Sequence, residues 1–251
     1  MGIRAVSRLT GLNQETVLNI LETAGQKAAA FLDAKVRNLC ADVIQADEVH
    51  GFVFSKEQNT DGRHIYRGAQ FTFLSVDRRS KLIVNWLVGK RTRENAEQFL
   101  ADLKGRMANR FQLVTDNWRI YSDMNGSVRC VFGREVDYAT ETKYFAKPDT
   151  FLPRRLIGLR RHRKIGSPDM TLATTAHAER TNLSVRTFTR RFTRCTLGFS
   201  KKLENHKLAV ALFVAHFNFC RVHSAHGQTP AQAAGLTEKV WTIEELLSAT
   251  I

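Results

Sequence analysis

Asp42-Val-Ile-Gln-Ala-Asp47-Glu48 is a short apolar run closed by carboxylates, and Phe111-Gln-Leu-Val-Thr-Asp116-Asn117-Trp118 repeats the arrangement later in the chain. Runs of this kind suit strands buried inside a sheet, with the terminal acids presented to a common crevice. A third acid, Glu179, lies in His177-Ala-Glu179-Arg-Thr-Asn182-Leu183, where a long basic helical pattern begins. The three are so far apart in sequence that only the fold can make them neighbours. Gathered together, they fit a hard divalent cation acting on a phosphodiester backbone. Two Mg²⁺ (or Mn²⁺) ions roughly 3.5–4 Å apart would hold the attacking and leaving oxygens of an in-line displacement. Oxygen ligands suit such ions better than Cys or His.

Each member of the triad has neighbours that compete with it or support it. Glu48 adjoins Asp47 and in a strand would point to the opposite face, so Asp47 is preferred as the direct ligand. Asp77 sits in a turn context and Asp123 reads as a surface residue. His177 precedes Glu179 by two positions, which in a helix turns it away, although it could reach a scissile phosphate from the helix start. Asn117, Asn182 and Glu48 are the remaining candidates for supporting the ligands, while Trp118 reads as packing.

Composition supplies the context. In 251 residues, 38 Lys and Arg face 24 Asp and Glu, a net charge of +14. Such a chain is drawn to polyanions, because each neutralised phosphate releases condensed counterions; the plain alternative is a basic surface with no specific role. Met1-Gly-Ile-Arg-Ala-Val-Ser-Arg8 has no apolar core of a signal peptide, which argues against secretion. The longest apolar run, Leu208 to Cys220, is broken by His216 and is too short to span a bilayer, so it reads as a buried helix. Cys40, Cys130, Cys195 and Cys220 are scattered without a CxxC pair, against a disulfide framework or zinc knuckle. A cytoplasmic, nucleoid-associated setting is expected.

Near the front, Ile3 to Leu9 and Gln14 to Thr23 form a helix–turn–helix pattern around Gly11, with Asn13 as N-cap. Gln14, Thr16 and Asn19 would then face a DNA major groove. The unit is partial, since no preceding helix is there to bury its inner face. Ala28 to Cys40 leads into the first strand as helix or linker. A turn at Asp61-Gly62 follows, then a hairpin from Gln70–Val76 and Lys81–Val88 around Asp77-Arg-Arg-Ser80. Thr92 to Met107 changes to helical period, Phe111 to Thr115 is a strand, and Trp118 to Met124 a helix. The order predicts an α/β (α+β) mixed sheet with flanking helices, as in the ribonuclease-H-like fold.

Between Pro153 and Gly166-Ser-Pro168, Arg154, Arg155, Arg160, Arg161, Arg163 and Lys164 crowd together. Such a run reads as a solvated loop within an irregular stretch, 143–175, and next to a metal site as a DNA clamp. A helix from Glu179 to Thr196 would set Leu183, Phe188, Phe192 and Cys195 on one side and Arg186, Arg190 and Arg194 in a stripe. Arg186 and Arg190 would share the face of Glu179. Thr229-Pro230 opens a later helix with Gly235 near its end, and Thr242-Ile-Glu-Glu245 is a capping box.

These residues resemble those of an insertion-sequence transposase of the DDE type, most nearly the insertion-sequence-one-like group. The similarity is carried by His177-Ala-Glu-Arg-Thr-Asn-Leu-Ser-Val-Arg186, Thr196-Leu-Gly-Phe-Ser-Lys201, Asn205-His-Lys-Leu-Ala209, Phe217-Asn-Phe-Cys-Arg-Val-His223 and Thr229-Pro-Ala-Gln-Ala-Ala-Gly235, together with Gln45-Ala-Asp-Glu48 and Thr115-Asp-Asn-Trp118. It covers nearly the whole chain. The resemblance implies a ribonuclease-H-like core, Mg²⁺ held by Asp47, Asp116 and Glu179, cleavage at element ends and strand transfer into target DNA. Handling two DNA ends implies a homo-oligomer on double-stranded DNA. Relatives often carry a cysteine-rich zinc module and a full DNA-binding unit in front, which this sequence lacks, and the expectation is that its start falls inside a longer reading frame.

The expected organisation is a partial helix–turn–helix over 1–27, a catalytic domain over 28–225 with a basic insertion near 143–175, and a helical tail over 226–251. Two other readings share these residues: a metal-dependent nuclease without strand transfer, and a truncated, non-catalytic DNA-binding regulator.

Overall fold

The computed structural model describes residues 2–60, 62–146, 155–193 and 197–249. Six strands form one sheet: β1 (Val43–Val53), β2 (Gly68–Asp77), β3 (Ile83–Gly89), β4 (Gln112–Asp116), β5 (Asp137–Phe145) and β6 (Leu156–Ile165). Their order across the sheet is β3-β2-β1-β4-β5-β6. The first three are antiparallel neighbours, β4 and β5 run parallel to β1, and β6 turns back along β5. This is the mixed sheet of the ribonuclease-H-like fold, with β6 added at one edge.

That order has a physical consequence. From β1 the chain moves outward to β2 and β3, returns through a helix, and then moves outward the other way through β4, β5 and β6. The β1/β4 junction is therefore where the chain reverses direction, the place at which an α/β sheet opens a crevice beyond its strand ends. Pairing between β1 and β4 runs only from Val43↔Gln112 to Gln45↔Val114. Beyond Gln45, β1 continues for eight residues beside β2, with Val53 at its end also bridged to Ser200. Asp116 thus ends its strand, as the sequence suggested, whereas Asp47 sits within β1, at the point where β4 leaves it.

The helices are α1 (Ile3–Thr10), α2 (Gln14–Lys35), α3 (Arg93–Arg106), α4 (Arg119–Ser122), α5 (Ser127–Phe132), α6 (Ala176–Phe188), α7 (Leu203–Ala215), α8 (Pro230–Ala233) and α9 (Ile243–Ser248). Asn13 caps α2 as expected, accepting from Glu15 N at 3.0 Å, and Gly11 turns the chain with φ 72°. However, α2 does not stop at Thr23. It runs on to Lys35 through the 27/28 position, because Ala24, Gly25 and Ala28 let α7 approach closely. A methyl group on Gly25 would stand 2.6 Å from Leu208 Cβ. Phe31 and Leu32 then join Ile44, Phe73, Leu74, Ile83, Phe99, Leu100, Leu113, Phe217 and Phe219 in one buried core. No helix of the described residues is long and apolar enough to cross a membrane.

Two sequence expectations give way here. The basic run is not a loop, because residues 156–165 form β6 and pair with β5 from Tyr138↔Ile165 to Phe145↔Leu156. An edge strand needs only its neighbour's backbone, and with little covering its faces it lacks the apolar alternation by which strands are recognised. The second correction concerns the Glu179 helix. It ends at Phe188, where Thr189 turns extended, and Arg190–Phe192 form a separate 3-10 turn. Its inward residues are Ala178, Thr181, Asn182 and Val185, while Leu183 and Phe188 lie exposed. Arg190 consequently does not share a helical face with Glu179.

Candidate active site

Asp47, Glu48 and Asp116 each bring a carboxylate oxygen into one group within 4.8 Å. Alternation does aim Asp47 and Glu48 to opposite sides: Asp47 Oδ2 accepts from Asn182 Nδ2 of α6 at 2.8 Å, whereas Glu48 lies toward Tyr121 of α4. Both still reach the slot, because no β4 backbone stands beside them past Gln45. The sequence preference for Asp47 as the direct ligand thus meets an arrangement in which Glu48 stands in the same group. Asp116 Oδ1 accepts from Trp118 N at 3.1 Å, which fixes its carboxylate at the strand end.

Arg91 answers these charges. Its Nη2 lies 2.8 Å from Glu48 Oε2 and 3.2 Å from Asp116 Oδ2. Its guanidinium stacks 4.3 Å from the centre of the Trp118 ring. One cation does not balance three acids. Burial, and then the charges of Asp116 and Glu179, push the Asp47 carboxyl up to about 6 despite the hydrogen bonds from the Glu48 backbone and Asn182. Burial and Asp116 push Glu48 up to about 7 against the pull of Arg91. Glu48 Oε1 is buried without a hydrogen bond of ordinary geometry.

Glu179 stands in the first turn of α6, close enough to act on Asp47, but its Oε1 is engaged elsewhere. It accepts from Thr175 Oγ1 at 2.7 Å and pairs with Lys143. Gln45 sets the position of this helix: its Oε1 accepts from His177 N at 2.8 Å and Ala178 N at 3.2 Å, satisfying free amides of the first turn. A fifth carboxylate, Glu141, lies opposite Asp116 in the β4–β5 register. It is buried, with Oε2 accepting from Thr175 N at 3.1 Å and Thr175 Oγ1 at 3.2 Å, and Oε1 3.3 Å from Arg161 Nε.

The other sequence candidates fall as follows. Asn182 touches Asp47, and Asn117 is exposed next to Asp116. His177 turns from the carboxylates; burial, then Lys81, Arg78 and His223, hold its pKa below the usual range. Arg186 is half-buried on α6, and Arg190 is exposed beyond it. Arg155 is exposed ahead of β6, which carries Arg160, Arg161, Arg163 and Lys164. Gln14, Thr16 and Asn19 are exposed at the start of α2. Arg154, Arg194 and Cys195 lie outside the described residues. Sequence reasoning missed Gln45, Arg91, Tyr121, Glu141 and Lys143. Only Arg91 had a signal, a basic pair Lys90-Arg91 directly after a strand.

The donor set suits a hard divalent cation. All the candidate ligand atoms are carboxylate oxygens, and burial, then neighbouring carboxylate charge, makes Asp47 and Glu48 resist ionisation, a cost that a bound cation would offset.

No protein-family model and no curated protein sequence matches the chain. Among solved structures it is similar to a chain of the simian T-cell lymphotropic virus intasome in complex with PP2A regulatory subunit B56 gamma. The TM-score is 0.46 at 16% identity, over 93% of this chain and 70% of that one. It is also similar to the HTLV-2 integrase catalytic core domain in complex with magnesium, in a trimeric form. Here the TM-score is 0.44 at 15% identity, over 79% of this chain and 99% of that one. These likenesses are loose, and the fold assignment rests on strand order and direction.

Proposed function

We propose that this protein is a DDE-type DNA transposase of the insertion-sequence-one-like kind, with Asp47, Asp116 and Glu179 as metal ligands and Glu48 as a fourth carboxylate of the same site. The observation that carries the reading is the convergence of Asp47, Glu48 and Asp116 in the slot between β1 and β4, on a chain of net charge +14. Bound Mg²⁺ or Mn²⁺ would supply Lewis acidity and neutralise charge on the reacting phosphate.

The chain's own residues divide the remaining work. Gln45 and Asn182 hold α6 and Asp47 in register, so the ligands stay rigid while phosphate enters. Arg91 and Lys143, now spent on carboxylates, become available to phosphate oxygens once metal takes over that neutralisation. Phosphodiester hydrolysis at an element end would leave a 3′-hydroxyl. That hydroxyl then attacks a phosphorus of target DNA and displaces a second 3′-oxygen. The β6 arginines, with Arg186 and Arg190, would grip flanking phosphates, and pairing two ends calls for a homo-oligomer.

The test is a strand-transfer assay on labelled element-end DNA with Mg²⁺ or Mn²⁺, comparing wild type with Asp116→Asn. Joined products from wild type only are expected. Cleavage without joining would replace the transposase by a nuclease, and binding without cleavage by a DNA-binding regulator.

A further inference from the structure

Positive charge near the slot is of two kinds. Arg91 and Lys143 are neutralised by carboxylates. A second group forms no ion pair with a carboxylate among the described residues, although Lys81 Nζ donates to Arg78 O. Arg78 and Lys81 come from the β2–β3 turn, His177 and Arg180 from the first turns of α6, and Arg221 and His223 from the segment after α7. Three tethers bring these segments together. His226 Nε2 lies 3.0 Å from Ser80 O, and its ring stacks on His223 at 5.3 Å. Gln45 fastens His177 to β1, and Arg78 N donates to Val43 O at 2.9 Å.

The groups feel one another. Lys81, Arg78 and His223 act on His177 after burial, and His226, Lys81, Arg221 and Arg180 act on His223. Two carboxylates stand within reach, Asp77, whose charge acts on Lys81 and His177, and Asp169, whose charge acts on Arg78. Asp77 accepts from Arg79 N, Ser80 N and Ser80 Oγ, and Asp169 accepts from Thr171 N and Thr171 Oγ1. Arg221 lies 4.2 Å from the centre of the Phe188 ring, and its Nη1 is buried without a hydrogen bond. Lys81 also holds a left-handed φ of 63°, a conformation that costs an L-residue on the order of 1 kcal/mol. Two carboxylates against Arg78, Lys81, Arg180 and Arg221 leave an excess of positive charge, which a bound anion would relieve.

We propose that Arg78, Lys81, Arg180 and Arg221, with His177 and His223 between them, form a second phosphate-binding surface, which holds duplex DNA leaving the carboxylates toward the Val43 end of β1. Arg78 N bonds Val43 O at that end, and α6, which carries Glu179, is fastened there through Gln45. Val43 precedes Asp47 by four residues, about 13 Å along the strand, whereas Arg161 of β6 lies across the sheet, paired with Glu141 beside Asp116. This inference rests on the DNA-processing reading above.

The experiment measures binding of the full chain to a fluorescein-labelled duplex by anisotropy, from 50 to 200 mM NaCl. Arg78→Gln/Lys81→Gln is compared with wild type and with the charge-conserving Arg78→Lys/Lys81→Arg. Loss of two phosphate contacts lowers the slope of log affinity against log salt by about 1.8. The charge-conserving pair should keep the wild-type slope, and Mn²⁺ affinity should be the same in all three. An unchanged slope in the Gln pair overturns the second surface and leaves the carboxylate site standing. A lowered slope in the charge-conserving pair also overturns it, since charge would then not be the cause. Failure of wild type to bind any duplex overturns both this surface and the transposase reading.

Discussion

A carboxyl buried beside other carboxylates keeps its proton longer than an exposed one, and Glu48 is the strongest case here. Its pKa is pushed up to about 7 and that of Asp47 to about 6. Between the unfolded carboxyl range near 4.5 and these values, the native state binds the extra protons. The contribution of these two groups to stability therefore rises as pH falls from about 7.5 toward 5. His206, held down to about 4 by burial, acts in the opposite sense below 6.5, so a variant must isolate the carboxyl. Glu48→Gln should raise the metal-free stability at pH 7.5 by on the order of 2 kcal/mol and flatten this pH dependence, measured by thermal melts across pH 5–8. Saturating Mg²⁺ should flatten it in wild type as well. If Glu48→Gln is less stable at pH 7.5, the carboxyl is compensated and the metal argument weakens. Arg91 gives the complementary case. Arg91→Gln removes the competing cation, so Mn²⁺ affinity should rise several-fold while duplex binding weakens; the Trp118 fluorescence that Arg91 stacks against provides a readout. Asp47 and Asp116 were legible because each follows an apolar run. Arg91 was not, since its meaning comes from where β3 ends beside β1 and β4.

At the scale of elements, periodicity revealed what burial enforces. The β2–β3 hairpin and α3 were readable because core contacts select their apolar positions, and the helix start at Thr229-Pro230 and the capping box at Thr242 because their chemistry is local. β6 and the length of α2 were hidden for opposite reasons: one element buries too little to leave a pattern, while the other is prolonged by a partner distant in sequence. Two substitutions test those partners. Gly25→Ala would place its methyl against Leu208, forcing α2 from α7 at a cost of about 1–3 kcal/mol by overpacking. A melting temperature at or above wild type would show that the contact has slack. Asn218, in the π-turn His216–Cys220, fastens the edge strand β3 in the manner of a neighbouring strand. Its Oδ1 accepts from Ile83 N at 3.0 Å and its Nδ2 donates to Ile83 O at 2.8 Å. Asn218→Ala strands both buried backbone groups and should cost roughly 2–4 kcal/mol in denaturant unfolding; a loss below 0.5 kcal/mol would mean that β3 does not depend on this clasp.

For the whole molecule, the distribution of charge matters more than its sum. The net +14 predicts an affinity for polyanions, but does not reveal that part of the positive charge is turned inward against carboxylates while other cations lie outside the slot. On β6, Arg161 faces Glu141, whereas Arg160, Arg163 and Lys164 form no ion pair among the described residues. Cations without carboxylate partners can neutralise phosphates and release counterions; those already paired must first exchange one anion for another. Duplex affinity should therefore be steeply salt-dependent, falling by roughly 10³–10⁵ between 50 and 200 mM salt if six to ten phosphates are contacted. On the proposed division, with Asp47 on the metal and the arginines on phosphates, Asp47→Asn should keep that slope while losing divalent-metal affinity. Neutralising Arg160, Arg163 and Lys164 together should lower the slope by about 2.7 with metal affinity intact. A slope that survives their removal would take β6 out of the DNA path and leave its basic face without a role in binding.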